Sequence, residues 1–239
     1  MKLLDLTLPT PAENLALDEA LLDAAEADPA RDDVLRLWEP PSYFVVVGRS
    51  SRIAVEVNAA ACREKQIPVL RRSSGGASVL AGPGCLMYGV VLSYRRFPEL
   101  RMLDRVHAHV LSLVAAGLNR LNLGAEPRGT SDLAIAERKV SGNSLRCKRD
   151  HVLYHGTLLY NFDLPLVEQL LRTPPRQPEY RAGRSHGSFI ANLPADAPHL
   201  RQAIAAEFGA QEPLVDWPRE LTQQLVAERY GRDDWNLRH

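Results

Sequence analysis

The sequence predicts an α+β protein in which a mixed β-sheet is flanked by helices. Two segments, Cys85–Tyr94 and Val152–Phe162, have the length and apolar composition of long buried strands. Residues Arg105–Leu121 repeat apolar side chains every three or four positions, which is typical of an amphipathic helix. No internal repeat or linker divides the chain, so residues 1–239 are predicted to form one domain.

The first half of the chain supplies one helix and several short strands. A helix over Ala12–Asp23 starts just after a proline and is predicted to be amphipathic, with its acidic residues opposite the apolar face. Tyr43–Val47 is nearly all β-branched or aromatic, which favours a central strand buried on both faces. The other elements predicted here are strands at Leu3–Leu8, Val34–Trp38 and Ile67–Leu70 and a short helix at Asn58–Lys65.

The second half contains a predicted hairpin, whose arms are Leu133–Ile135 and Arg138–Val140 and whose tip is Ala136–Glu137. Residues Arg176–Arg184 are rich in arginine and turn residues, which predicts a mobile surface loop. The remaining predicted elements are helices at Leu164–Leu171, Ala195–Phe208 and Arg219–Tyr230.

The composition argues against several classes of protein. The 29 basic and 29 acidic residues balance, whereas a nonspecific nucleic-acid binder usually carries a basic excess, so no nucleic-acid partner is expected. The three cysteines form no CxxC pair, which argues against a disulfide framework or a zinc site. No apolar run has the length of a membrane span or the pattern of a signal peptide, so we expect a cytoplasmic protein without a membrane partner.

A glycine turn, Arg71–Gly76, is the first candidate binding element. Backbone N–H groups and two arginines at a strand end suit an anion, and glycine allows a ligand to approach the backbone closely. The motif has neither the spacing of a P-loop nor that of a dinucleotide-binding turn. Taken alone, it is a weak signal, and a solvated turn is the simpler interpretation.

Lys139 is the candidate catalytic residue. A hairpin lysine is ordinarily solvated, but Ser141 and Gly142 leave room beside its ammonium, which could pair with a carboxylate and then with a phosphate. Asp132 could bind Mg²⁺ or cap a turn, and its orientation relative to Lys139 is undetermined. His155 could be a hydrogen-bonded core residue or a ligand-binding one, and Gly156 permits close approach to the strand.

Six segments together resemble the lipoate–protein ligase A family, within the superfamily of biotin/lipoate ligases and lipoyl/octanoyl transferases. The matching segments, in the family order, are Asn14–Glu19, Val47–Arg49, Arg71–Gly76, Ser131–Leu133, Arg138–Gly142 and His155–Leu159. The resemblance implies a biotin/lipoate ligase-like catalytic domain. The small C-terminal accessory domain of longer family members is expected to be absent.

The resemblance implies that ATP, Mg²⁺ and lipoate or octanoate form an acyl-adenylate, which then acylates a lysine of a lipoyl-domain protein. That acceptor would be a 2-oxoacid dehydrogenase E2, a glycine cleavage H protein or a similar protein, and a separate accessory subunit is a further possible partner. The residues implied to bind ATP or the acyl-adenylate are Arg72, Gly75, Gly76, Ala77, Ser78, Val79, Leu80, Lys139, Ser141 and Gly142. Those implied to bind the lipoyl group are Arg72, Gly76, Lys139, His155 and Gly156, with Asp132 as the metal ligand.

Two departures from the family pattern leave alternatives open. Ala77 stands where the family usually has a third glycine, and Ala81 where it usually has a histidine. They motivate the alternative of a non-catalytic protein that binds lipoyl domains or an acyl-nucleotide. A second alternative is an octanoyltransferase that moves an acyl group from carrier protein through a cysteine thioester. Cys147, which lies among basic residues, is its most plausible nucleophile.

Overall fold

The computed structural model describes residues 1–239 as eleven strands and nine α-helices. The strands are β1 Lys2–Asp5, β2 Val34–Trp38, β3 Phe44–Val47, β4 Val69–Arg71, β5 Val79–Ala81, β6 Cys85–Ser93, β7 Glu126–Arg128, β8 Asp132–Ile135, β9 Arg138–Cys147, β10 His151–Leu159 and β11 Glu212–Pro213. The helices are α1 Pro11–Ala27, α2 Ile53–Glu56, α3 Ala59–Glu64, α4 Leu103–Arg120, α5 Leu164–Leu170, α6 His186–Phe189, α7 Ala197–Glu207, α8 Arg219–Leu225 and α9 Asp233–Asn236.

Eight strands form one mixed sheet in the order β11-β1-β2-β6-β10-β9-β8-β7. Strand β1 pairs in parallel with β11 and β2, and all other neighbours in this sheet are antiparallel. The two predicted long strands, β6 and β10, pair along their whole length at the middle of the sheet. The predicted α+β class is therefore confirmed, and these two strands form its centre.

Two apolar layers cover the two faces of the large sheet. Helices α4 and α7 pack on one face, where alternate residues of β2, β6 and β10 point toward them. Helix α1 packs on the other face, next to a second sheet of three strands in the order β4-β3-β5. Strand β3 is the central strand of the small sheet and is completely buried, as its composition predicts. The space between the two sheets is where polar side chains meet.

Helix α1 begins with a capping box: the Thr10 hydroxyl accepts from the Glu13 backbone N–H, and the Glu13 carboxylate accepts from the Thr10 N–H. The prediction that its acidic residues lie opposite the apolar face is wrong for Asp18 and Glu19. Asp18 is 4% exposed and Glu19 is 1% exposed. Both are buried because cations from distant segments pair with them, Arg36 with Asp18 and Arg229 with Glu19.

Several boundaries differ from those that the sequence predicts. The hairpin tip Ala136–Glu137 is correct, and both residues have positive φ, but its second arm continues through β9. Residues Arg176–Arg184 include a 3₁₀ turn at Glu179–Arg181, and Arg181 is 3% exposed, so the segment is more than a surface loop. The short elements β5, β7, β11, α2, α6 and α9 lack a sequence signal of their own. None of the helices combines the length and the apolarity that crossing a membrane requires.

Candidate functional site

A cleft of about 450 Å³ opens between the two sheets. Its floor comes from α1 and the centre of the large sheet, one wall from the glycine turn and β5, and the other from β8, β9 and the segment after α5. The apolar lining is provided by Leu15, Val46, Ala77, Val79, Leu80, Met87, Leu159, Phe162, Val167, Leu171, Phe189 and Ile190. The charged lining is provided by Asp18, Arg72, Asp132, Lys139, Arg176 and Arg181.

Lys139 and Asp132 form the central ion pair of the cleft. The Nζ atom of Lys139 lies 2.6 Å from Oδ1 of Asp132. The other carboxylate oxygen of Asp132 accepts a hydrogen bond of 2.9 Å from the Tyr180 hydroxyl. A Cβ atom on Gly142 would lie 2.9 Å from Nζ of Lys139, so the glycine leaves the room beside the ammonium that the sequence suggests. The hairpin thus presents a positioned, partly solvated cation to the cleft.

The glycine turn differs from the predicted open anion site. Arg71 is fully buried and donates to backbone carbonyls, among them those of Gly48 and Ser51, both at 2.8 Å. Arg72 donates to the carbonyls of Gly75 and Ala77 inside the turn itself. Both guanidinium groups therefore hold the turn in shape. Burial lowers the pKa of Arg72 to about 10, which still leaves it charged at neutral pH.

A buried polar chain reaches the cleft from beneath α1. Arg36 donates to Oδ1 of Asp18 at 2.6 Å, and Oδ2 of Asp18 lies 3.6 Å from Nδ1 of His155. On its other side, Nε2 of His155 lies 2.6 Å from Oγ of Ser74, which accepts from Nε of Arg72 at 3.0 Å. Burial alone would raise the pKa of Asp18, but the charge of Arg36 and the nearby His155 imidazole outweigh burial and lower it.

The lowered pKa of Asp18 predicts acid sensitivity. Folding favours the ionised carboxylate, so its contribution to stability is complete above the unfolded pKa and is lost as the pH falls below 3.8, through the folded pKa. We expect the temperature of unfolding to fall more steeply in this acid range for the native chain than for an Asp18→Asn variant. Scanning calorimetry from neutral to acid pH measures both slopes. Parallel slopes would contradict the prediction.

The segment after α5 lines part of the cleft. Arg181 stacks on the Phe189 ring at 5.0 Å, and its Nη2 atom is buried without a hydrogen-bond partner. Burial lowers the pKa of Arg181, and the neighbouring charge of Arg184 lowers it further. Arg184 is anchored by the backbone carbonyl of Glu137 at 3.0 Å. The segment therefore brings an incompletely satisfied cation to the wall that carries Lys139.

The structure brings almost all the candidate residues to this cleft. Those that line it are Arg72, Gly76, Ala77, Ser78, Val79, Leu80, Asp132, Lys139, Ser141, Gly142, His155 and Gly156. Gly75 does not line it, and its carbonyl instead accepts from Arg72 and from Ser144. The group that approaches Gly156 is the Asn143 side chain, whose Oδ1 lies 1.7 Å from where a Cβ would stand.

Sequence reasoning missed Asp18 and Asn143 as cleft residues. The signal for Asp18 is Arg36, a cation within an otherwise apolar strand that needs a buried counter-charge. No local signal distinguishes Asn143 from ordinary polar residues.

Cysteine and metal chemistry have limited support in the geometry. Cys62 and Cys85 are buried, Cys147 is exposed, and none of the three lines the cleft. Burial raises the pKa of the Cys85 thiol. No group of three His, Cys, Asp or Glu side chains is placed to hold a metal ion. Asp132 is a single carboxylate whose two oxygens already contact Lys139 and Tyr180.

The family model described as lipoyl protein ligase A/B catalytic domain matches residues 10–208, which include every element of the cleft. The chain belongs to this family. The family resemblance of the sequence motifs is thereby confirmed. The match covers both the glycine turn and the Lys139 hairpin.

Curated relatives of two kinds resemble the chain. A putative lipoate-protein ligase A of Schizosaccharomyces pombe is 32% identical over 166 residues, which are 69% of this chain and 42% of that protein. One of Aeropyrum pernix is 32% identical over 163 residues, covering 68% of this chain and 58% of that protein. The chain thus spans about half the length of these two. The octanoyltransferase LipM of Symbiobacterium thermophilum is 28% identical, and the match covers 95% of this chain and 94% of that protein.

Solved structures share the fold. A lipoate-protein ligase A bound with ATP superposes with a TM-score of 0.85 at 21% identity, covering 99% of this chain and 98% of the other. A bipartite lipoate protein ligase of Thermoplasma acidophilum, solved in a study of that ligase and its E2 lipoyl domain, gives 0.84 at 22% identity, covering 99% and 95%. At these identities, the likeness establishes the arrangement of the two sheets and helices.

Proposed function

We propose that this chain is an ATP-dependent lipoate–protein ligase that activates lipoate or octanoate as an acyl-adenylate. The observation that carries the proposal is the Lys139 ammonium, held by Asp132 at 2.6 Å in a cleft that is lined by both apolar side chains and several cations. Apolar lining residues suit an acyl chain, and the cations among the lining residues suit phosphates. Family membership and the putative ligases among the relatives support the same activity.

The first step joins the two substrates at Lys139. A carboxylate oxygen of the acid attacks the α-phosphorus of ATP, the bond to the β-phosphate oxygen breaks, and pyrophosphate leaves. Negative charge spreads over the α-phosphate oxygens in the transition state, so a fixed ammonium at this point lowers the barrier. Lys139 can exchange Asp132 for this charge because the pair lies at the cleft surface, with 27% of the Lys139 side chain exposed.

The segment after α5 is our proposed phosphate contact. Arg181 lines the cleft, and its guanidinium charge suits phosphate oxygens. Mg²⁺ usually accompanies nucleotide phosphates and keeps most of its waters, so one carboxylate can be enough for it. Asp132 is the residue that we propose for that contact, and the ion would neutralise phosphate charge.

The second step transfers the acyl group to the acceptor. The amine of a lysine on a lipoyl-domain protein attacks the acyl carbonyl, an amide forms, and AMP leaves. The proposed acceptors are a 2-oxoacid dehydrogenase E2 or a glycine cleavage H protein. A separate accessory subunit stays a proposal, as does the organisation of residues 1–239 as one domain.

An octanoyltransferase is the second candidate, because the LipM relative aligns with the chain over nearly its whole length. A cysteine route requires a thiol near the acyl group. None of the three cysteines lines the cleft, which supports the ligase over this candidate. The exposed Cys147 is the remaining nucleophile to test.

Pyrophosphate exchange into ATP tests the proposal. The purified protein is assayed with Mg²⁺ and either lipoate or octanoate, with and without a candidate accessory subunit. Exchange that depends on the acid establishes acyl-adenylate formation. Absence of exchange together with acylation of Cys147 by octanoyl carrier protein would identify a transferase. If both reactions are absent but acyl-nucleotide or a lipoyl domain still binds, the protein is a binding protein.

Removal of the Tyr180 hydroxyl is expected to weaken nucleotide binding. This hydroxyl ties the segment after α5 to Asp132, and a hydrogen bond to a charged group is worth about 1.5–3 kcal/mol, so the KM for ATP of Tyr180→Phe should rise about ten-fold or more. Tyr160→Phe is the matched control, because its hydroxyl also donates to a carboxylate, that of Glu39, outside the cleft. An equal rise in both variants would exclude a specific role for Tyr180.

A further inference from the structure

One row of residues crosses the large sheet beneath α1. Arg36 on β2 is paired with Gly89 on β6, Gly89 with His155 on β10, and His155 with Ser144 on β9. Residues paired across neighbouring strands point to the same face of a sheet, so these side chains all face α1. Gly89 has no side chain, and this leaves a gap between the guanidinium and the imidazole.

The carboxylate of Asp18 fills this gap from above. The position of a Cβ on Gly89 would lie 3.5 Å from Oδ1 of Asp18, so the carboxylate sits over the glycine. One oxygen accepts from Arg36 at 2.6 Å, and the other lies 3.6 Å from Nδ1 of His155. The side chain of Asp18 is only 5% exposed and that of Arg36 is fully buried, so water has little access to these contacts.

The chemistry of each group fixes the direction of every hydrogen bond. A guanidinium only donates and an ionised carboxylate only accepts. At 3.6 Å the contact between Asp18 and Nδ1 of His155 is longer than a hydrogen bond, but the negative charge of the carboxylate favours the tautomer whose N–H faces it. In the neutral imidazole, Nε2 is then an acceptor, and it takes the Ser74 hydroxyl proton at 2.6 Å. The Ser74 oxygen is left to accept from Nε of Arg72 at 3.0 Å. Ser74 is 1% exposed and does not line the cleft, so it is not a nucleophile.

We propose that Asp18 is a positioning residue that locks His155 in its Nδ1–H tautomer and thereby holds Ser74 and, through Ser74, the cleft-lining Arg72. Asp18, on α1, would thus orient cleft groups that belong to the two sheets. Its consequence for acyl-adenylate formation rests on the proposed function. The tautomer itself does not, so the two can fail separately.

The Asp18→Asn substitution is expected to reverse the direction of the hydrogen bonds that run through His155. Its side chain has one accepting oxygen and one donating NH₂, and Arg36 can only donate, so the oxygen stays with Arg36. The NH₂ then faces Nδ1 of His155, which must accept, and the proton moves to Nε2. The Ser74 hydroxyl loses its acceptor, and Arg72 loses a fixed partner. Similar loss of the correct tautomer is costly in catalytic triads.

Long-range proton–nitrogen NMR correlations on ¹⁵N-labelled protein measure the tautomer directly. Spectra are recorded near pH 8, where an unperturbed histidine is neutral, and His155 is assigned by its absence from His155→Gln. We expect the proton on Nδ1 in the native chain and on Nε2 in Asp18→Asn. Asp33→Asn is the matched control: Asp33 is a buried carboxylate paired with Arg96 at 3.0 Å, outside the cleft. There His155 should keep its proton on Nδ1.

Ser74→Ala separates Asp18 from the other neighbour of the ring. In this variant the His155 proton should stay on Nδ1, because Asp18 sets the tautomer. Movement of the proton to Nε2 would show that Ser74 sets the tautomer and would overturn the proposal. The native chain and Ser74→Ala decide this point even if Asp18→Asn does not fold. A native His155 with its neutral proton on Nε2 would also overturn it.

The functional consequence is read from pyrophosphate exchange. Displacement of Arg72 in the cleft wall should lower exchange by about 100-fold in Asp18→Asn. Asp33→Asn should change exchange by less than about two-fold, since its site is distant. A switched tautomer with unchanged exchange would reject the positioning role. Absence of pyrophosphate exchange in the native chain would reject the proposed function. The tautomer of His155 would then be decided by the NMR result alone.

Discussion

Replacement of Lys139 by alanine is expected to lower acyl-adenylate formation about 1,000-fold, the upper range for loss of one preorganised electrostatic contact. Lys139 is the only lysine that lines the cleft, so no neighbouring ammonium can replace it. Its partner Asp132 keeps the Tyr180 hydroxyl after the change, so the fold should lose little stability. Pyrophosphate exchange at saturating ATP and acid measures the effect on kcat, and thermal unfolding measures the effect on the fold.

Lys148→Ala is the matched control for this experiment. Its Nζ atom also lies 2.6 Å from a carboxylate, that of Asp23, and the lysine is likewise 27% exposed, but it lies outside the cleft. We expect its exchange rate to stay within about two-fold of the native rate. Lys139→Arg should also be impaired, because a planar guanidinium does not reproduce a compact ammonium. If Lys139→Ala kept most of the native rate, the ammonium would not act in the transition state.

The hairpin that carries Lys139 could be predicted from sequence because its signals are local. A short apolar arm, a two-residue tip and a second arm specify the turn, and both tip residues have the positive φ that such tips use. Whether the side chains of Asp132 and Lys139 lie on the same face of the hairpin could not be predicted. A register irregularity between Leu133 and Ala134 changes the pairing along β8, and a sequence pattern with period two does not reveal it.

The face of α1 that carries Asp18 and Glu19 is the clearest failure of sequence reasoning. Acids at helical spacing usually indicate a solvated face. Here, each meets a cation or hydroxyl far away in the chain: Asp18 meets Arg36, and Glu19 meets Arg229 and Tyr230. Burial of a charge depends on such tertiary partners, and helical periodicity carries no information about them.

The glycine turn shows a similar limit. Its position in the cleft wall follows from its sequence, but the roles of its arginines do not. Arg71 is held by carbonyls that include that of Trp235, more than 160 residues away in the chain. A free arginine and a fully satisfied one look alike in a sequence. The unsatisfied cation of the cleft, Arg181, lies instead in a segment without a clear pattern.

Replacement of Arg36 by methionine is expected to destabilise the protein by about 3–5 kcal/mol, because it leaves the buried Asp18 carboxylate without its cation. Besides Asp18, the guanidinium bonds the Asn14 side chain at 2.6 Å and two backbone carbonyls, so several acceptors lose their donor together. Urea denaturation at neutral pH measures the free energy of unfolding. Arg96→Met is the matched control, since Arg96 pairs with Asp33 at 3.0 Å but is 40% exposed. It should lose no more than about 1 kcal/mol.

A double variant, Asp18→Asn with Arg36→Met, distinguishes the cost of an unpaired charge from the cost of lost packing. If the isolated carboxylate dominates, the double variant should be more stable than Arg36→Met alone, because no buried charge remains. If the loss of stability comes mainly from lost packing and from backbone carbonyls that lose the Arg36 donor, adding Asp18→Asn should not restore stability. The double variant could recover stability without recovering pyrophosphate exchange. The fold would then tolerate uncharged side chains at positions 18 and 36, whereas His155 would still need the Asp18 carboxylate. The ion pair would then be retained for the geometry of the cleft, because stability alone would not require it.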